Sequence, residues 1–202
     1  LQESIGGSSF VVDTRPGAGT NIGMAVVARA PADGYTVGLA SIAANAANKW
    51  LYRSLPFDPD RDFAAVGMIA LVPNIVVIPP AVPAQNLPQV IARARAQNRP
   101  INFGSVVAGS SQHLAGSQFQ MITGLPMQHL PYTNSGQMNT DLIEGRTDML
   151  FQSISAVTQM AQAGRMRPIA VSGTDRVAAF PDLPTMKEQG VDITSTGWFG
   201  LC

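Results

Sequence analysis

Short apolar runs of strand length alternate along this chain with stretches whose apolar positions recur at helical spacing. Gly, Pro, Asp and Asn mark the joins. The pattern predicts strands at 10–12, 35–39, 63–71, 74–78, 101–103, 128–132, 149–151 and 169–171. Between them it predicts helices over 21–29, within 41–52, over 87–97, from 110 onward, and over 135–144 and 157–163. Pro181-Asp-Leu-Pro184 opens a last short helix that ends at Gly190. Strands alternating with helices argue for an α/β sheet with crossover helices. The apolar run 75–78 stops at Pro79-Pro80, far short of the ~20 residues that span a bilayer.

Two short strands, near 73–80 and 167–173, bracket a self-contained middle block. That predicts a hinged, two-lobe protein: residues 1–75 with 169–202 as a first lobe, and 76–168 as a second, inserted lobe. Ligands of open α/β sheets gather at the carboxyl ends of strands. The candidate pocket residues are therefore Ser41 with Asn45 one turn on, Ser105, Gly109, Ser110, Ser111, Tyr132, Thr133, Gln152 and Ser153. Each has a plainer reading as a turn or a helix cap.

Within this set, Asn102-Phe-Gly-Ser-Val-Val-Ala-Gly-Ser-Ser-Gln-His-Leu-Ala-Gly116 carries the most chemistry. It reads as a buried strand entering a Gly/Ser loop and then a helix. Free backbone N–H groups at a helix start, with small hydroxyls beside them, hold a carboxylate or phosphate without a buried cation. Ser110 or Ser111 also suits an ordinary N-cap, and both roles are compatible.

Composition narrows the alternatives. The 202 residues are 46% hydrophobic and 13% charged, with 13 basic and 13 acidic side chains, enough to bury a sizeable core with no net field. The basic residues are scattered and aromatics make up only 6%, so no basic stripe for nucleic acid is present. Cys202 is the sole cysteine, which excludes an intrachain disulfide and a Cys-based metal site. His113 and His129 stand in separate contexts with no carboxylate at ligand spacing, so neither a metal nor another cofactor is expected. His113 is read as packing at a helix start and His129 as structural. The opening Leu1-Gln-Glu-Ser shows no secretory leader pattern.

Eight segments together resemble one family. They are Asp13-Thr-Arg-Pro-Gly-Ala-Gly-Thr-Asn-Ile-Gly23, Ala32-Asp-Gly-Tyr35, Leu55-Pro-Phe-Asp-Pro59, Asn102-Phe-Gly-Ser105, Gly109-Ser-Ser-Gln-His-Leu114, Leu130-Pro-Tyr132, Pro181-Asp-Leu-Pro-Thr185 and Trp198-Phe-Gly-Leu201. In that order and spacing the chain resembles tripartite tricarboxylate transporter substrate-binding proteins, the TctC or Bug type of extracytoplasmic solute receptor. The resemblance implies a type II-like, two-lobe periplasmic binding protein fold whose cleft closes on a small organic acid or amino-acid-like ligand. It also implies a periplasmic setting, delivery to the membrane permease of a tripartite tricarboxylate transporter, and a carboxylate held by amides, hydroxyls and waters. Family members begin with a further strand and loop and continue past the Trp-Phe-Gly motif. This chain is accordingly expected to be an internal portion, with its first lobe incomplete at both chain ends. It departs from the family at Ala40-Ser41, at Val107 where a glycine is usual, and at Gln152-Ser153.

Two alternatives stand beside the transport receptor. One is a sensory receptor presenting its solute to a signalling partner. The other is a serine hydrolase with Ser110 or Ser111 as nucleophile, His113 as base and Asp141 or Asp148 as orienter. No Gly-x-Ser-x-Gly elbow surrounds either serine, and the chain is read as a binding protein, not an enzyme.

Overall fold

The computed structural model describes residues 9–202; the opening Leu1-Gln-Glu-Ser lies outside them. Among the described residues, α1 (Asn21–Arg29) precedes β1 (Leu39–Ser41), a π-helical turn (Ala43–Ala47) and α2 (Asn48–Leu51). Then come β2 (Gly67–Ile78), α3 (Leu87–Ala96), β3 (Ile101–Ser105), α4 (Ser111–Thr123), β4 (Met127–Pro131) and α5 (Ser135–Ile143). β5 (Met149–Ser153), α6 (Ile154–Gln162), β6 (Arg167–Val171) and β7 (Thr196–Leu201) complete the order. The strands form a mixed sheet, β1-β7-β2-β5-β3-β4, with β6 also paired to β2.

β2 is the axis of the sheet. The apolar pattern predicts two strands at 63–71 and 74–78, but the chain runs straight through as one. Its first half, to Pro73, pairs antiparallel with β7; its second half, from Asn74, pairs antiparallel with β5 and β6. Pro73 brings no N–H to the ladder, and a proline is tolerated at the step where the strand exchanges partners. The second half is buried on both faces. Val76 and Ile78 join a core with Phe103, Phe119 and Phe151 under α3 and α4, while Ile75 and Val77 join Met138, Leu142, Leu150 and Val157 under α5 and α6. Each such side chain contributes roughly 1.5–3 kcal/mol by leaving water.

Local signals place the crossover helices. Asn86 Oδ1 accepts from Gln89 N (3.0 Å) at the start of α3, and Asn134 Oδ1 accepts from Gln137 N (2.8 Å) at the start of α5. Gly124 ends α4 in the left-handed region at φ 66°. β3 runs parallel to both β4 and β5, as the intervening helices require.

Three expectations change. Residues 10–12 are not a strand: Val11 and Val12 are about 90% exposed, and no described strand pairs with them, so an apolar triplet alone does not fix extended pairing. The strand expected at 35–39 begins only at Leu39, because an Asp33–Tyr35 turn holds Tyr35 out in solvent and the ladder starts with Gly38 and Cys202. The short helix before Gly190 is a single 3-10 turn, Lys187–Gln189. No helix among the described residues is long and apolar enough to cross a membrane.

Candidate functional site

A cavity of about 250 Å³ lies between the 105–112 loop and the segment formed by β1, β7 and Thr20. The N-cap residues of three helices line it: Thr20 before α1, Ser110 before α4 and Ser153 before α6. A helix start carries roughly half a positive charge, from N–H groups that lack partners inside the helix. In α4 the Ser110 hydroxyl accepts from His113 N (3.3 Å), which leaves the amides of Ser111 and Gln112 without intrahelical acceptors. Neither Thr20 nor Ser153 caps its helix through its side chain. Among the described residues lining the cavity there is no Asp, Glu, Lys, Arg or His.

Asn74 is the decisive addition. It lines the cavity, is 1% exposed, and its side-chain Nδ2 has no hydrogen-bond partner among the described residues, while its Oδ1 accepts from Ser111 Oγ (3.4 Å). A buried donor without an acceptor costs about 1–3 kcal/mol. Its backbone fixes the position, since Asn74 N donates to Ser172 Oγ (2.9 Å) where β2 changes partners.

On the opposite wall the chain holds four successive positive φ angles, from Gly17 to Thr20, including Ala18 at 46° and Thr20 at 72°. Each of these two non-glycine residues costs about 1–2 kcal/mol there. The loop is tied down by Asn48 Nδ2, which donates to Gly19 O (2.9 Å) and to Asn21 Oδ1 (2.7 Å).

The sequence-selected residues divide. Ser41, Ser110, Ser111 and Ser153 line the cavity. Gln152 sits behind it: Gln112 Nε2 donates to Gln152 Oε1 (2.5 Å), and Gln152 Nε2 donates to Asn139 Oδ1 (3.1 Å), which orients Gln112 at the start of α4. Ser105 is buried, with Oγ 2.8 Å from His129 Nε2. Gly109 turns the loop at φ 82° against Leu51 and Asn48. Asn45 Oδ1 accepts from Ser41 N (3.0 Å) and faces a neighbouring hollow of about 350 Å³. The Tyr132 hydroxyl donates to Asp141 (2.9 Å), and burial with that carboxylate pushes it up to about 12. Thr133 is exposed to solvent. The hydrolase geometry is not assembled: the His113 ring accepts from Gly109 N through Nδ1, while Asp141 and Asp148 pair with Arg146 and Arg99.

The two histidines, separate in sequence, meet in space. Their ring centroids are 4.4 Å apart beside Phe103, and together they brace both ends of the 105–109 turn. Burial holds both below the usual histidine range, and His113 lowers His129 further. The unfolded chain therefore takes up protons first as pH falls through about 6.5, so this contribution to stability is complete above that pH and fades below it. The melting temperature should fall between pH 7.5 and 5.5, and a His113→Gln/His129→Gln variant should flatten that slope. A wild-type curve level across this window would contradict it. Glu188, held near about 2 chiefly by Arg176, titrates in a separate window, losing its contribution only below about 4.5.

Comparison with known proteins shows the family and the fold. The model of the tripartite tricarboxylate transporter family receptor matches residues 2–202. The chain belongs to this receptor family. Protein BugT of Bordetella pertussis is 34% identical over 203 residues, covering 100% of this chain and 62% of that protein. The solved R. palustris protein Rpa4515 with adipate is 35% identical with a TM-score of 0.91, covering 98% of this chain and 67% of that one. A structure described as a periplasmic transporter is 32% identical with a TM-score of 0.85, covering 95% and 64%. The chain spans about 55–62% of the length of the first curated relatives it matches. Against this receptor family, the residues that sequence reasoning missed had visible signals. Asn74 is the one polar residue interrupting the apolar run 71–78, and Thr20 and Trp198 stood in motifs read for their order alone.

Proposed function

We propose that this protein is a periplasmic solute receptor that captures a small carboxylate in the cavity between Thr20, Ser41, Asn74 and Ser110–Ser111, and delivers it to the membrane permease of a tripartite tricarboxylate transporter. The observation that carries the reading is the buried Asn74 Nδ2, unpartnered among the described residues, beside three helix starts in a cavity whose described lining has no charged side chain. One carboxylate oxygen accepts from Asn74 Nδ2, whose amide Ser111 Oγ orients by donating to Oδ1; the other accepts from the α4 amides. Neutral donors suit reversible capture, with water bridging where a direct bond does not reach. Adipate in a 35% identical relative is consistent with this ligand chemistry.

The cleft lies between two lobes in this reading, residues 1–75 with 169–202 and residues 76–168. The exchange of partners at Pro73–Asn74 supports the first crossing, and the pairing of β6 with the inner half of β2 supports a return just after Val171. Closure follows from contacts that the ligand makes with both walls at once.

The test is a thermal-shift and calorimetric panel of small carboxylates. A ligand at one hundred times its Kd adds about 2.7 kcal/mol, which is a rise of about 5–10 °C for a chain of this size. Ser111→Ala should weaken the best ligand about tenfold, or 1.4 kcal/mol, and lower the melting temperature of the free protein by only a few degrees through loss of the 3.4 Å bond to Asn74. If no carboxylate shifts the melting curve, the reading fails.

A further inference from the structure

Beyond its polar corner, the cavity wall is mainly apolar: Ile42, Val72, Val106, Val107 and Phe199, with the Trp198 indole carrying the one side-chain N–H among them. The hydroxyls and amides on the lining sit at the helix starts, at Asn74 and at Ser41 on the end of β1, and most of them already have partners. Ser110 Oγ caps α4, Ser111 Oγ donates to Asn74, Thr20 Oγ1 donates to Gly19 O (2.6 Å), and the Gln112 amide is held by Gln152 and Val106. A hydroxyl in the middle of a ligand skeleton would meet methyl groups with no partner. An ammonium there would face three positive helix ends with no carboxylate to balance it.

From this we infer that the ligand is a carboxylate with an unsubstituted hydrocarbon skeleton, carrying no hydroxyl or amino group between its ends, and that Val107 sets this selectivity. The inference rests on the carboxylate-receptor reading above. Val106 is locked into the core under α5 and α6, whereas Val107 belongs to none of the cores and presents its side chain to the cavity. The volume of about 250 Å³ corresponds to roughly eight waters' worth of liquid, room for a small carboxylate. Apolar pockets reject an added hydroxyl by up to about 100-fold, since the group loses its hydrogen bonds to water.

Calorimetry with two matched pairs separates the outcomes: hexanoate against 3-hydroxyhexanoate, and adipate against 3-hydroxyadipate. The unsubstituted member should bind 10- to 100-fold tighter in whichever pair binds. Val107→Ser, at a half-buried loop position, should bring the two members of that pair within about threefold while the protein still melts cooperatively. Equal or tighter binding of the hydroxy acid overturns the inference and leaves the carboxylate reading intact. So does a panel in which only hydroxy or amino acids bind, or a Val107→Ser variant that keeps the full ratio. Absence of binding by every carboxylate in the wider panel overturns both.

Discussion

Replacing Gly116 with alanine should lower the unfolding free energy by about 2–3 kcal/mol, a drop of roughly 5–10 °C in melting temperature. In an exposed helix the same change adds about 1 kcal/mol of stability, because alanine restricts the unfolded backbone. Here the sign reverses. A Cβ on Gly116 would lie 2.2 Å from the Phe103 ring, far inside contact distance. The ring has little room to retreat: it packs edge-on to Phe151 at 6.3 Å and lies against His113 and His129. Overpacking of this kind outweighs the helical gain. A Gly116→Ala/Phe103→Leu double variant should recover part of the loss, a coupling that chemical denaturation can measure. An alanine variant as stable as wild type would mean that α4 sits farther from β3 than the structure places it.

Gly197→Ala should weaken carboxylate binding by about 10- to 100-fold while the chain still folds. The added Cβ would stand 2.9 Å from Ser111 Oγ and 3.3 Å from both Ser111 Cβ and Val72 O. The Val72 carbonyl is fixed in the β2–β7 ladder, so the side chain of Ser111 is the part that gives. Ser111 is half-buried and can turn, which keeps the stability cost small, but it turns away from Asn74 Oδ1, whose amide it orients toward the ligand. Adding Gly197→Ala to Ser111→Ala should then cost little more than either alone, because the first change acts through the hydroxyl that the second removes. Additive losses would place Gly197 in contact with the ligand by a separate route.

These residues also show what the sequence could and could not reveal. The crossover helices were legible because their signals are local: Asn86, Ser110 and Asn134 sit as caps one residue ahead of amphipathic stretches. The path of β2 was not. Pro73 ordinarily breaks a strand, and only the change of partner from β7 to β5 and β6 makes it harmless. β7 itself escaped the pattern because Gly197 and Gly200 interrupt the alternation of apolar and polar positions. Within the site, Ser110 and Ser111 could be found from their helix, whereas Asn74 acquires its place from three elements remote in sequence, β5, α4 and the Ser172–Ser195 segment. Gln152 was selected for the cleft but lies behind it, since an amide after a buried strand can face either side and sequence does not say which.

Among the described residues no formal charge lines the cavity wall, and for the proposed receptor this bears on the surroundings in which capture would occur. A lysine or arginine clamp draws its anion through a long-range field that mobile ions weaken, so its affinity rises and falls with ionic strength. Helix starts and a buried amide act only at hydrogen-bond range, inside a pocket that the ion atmosphere barely enters. Such a site holds its solute with nearly the same strength in dilute and in saline media, a useful property for a receptor in a compartment whose salt follows the environment.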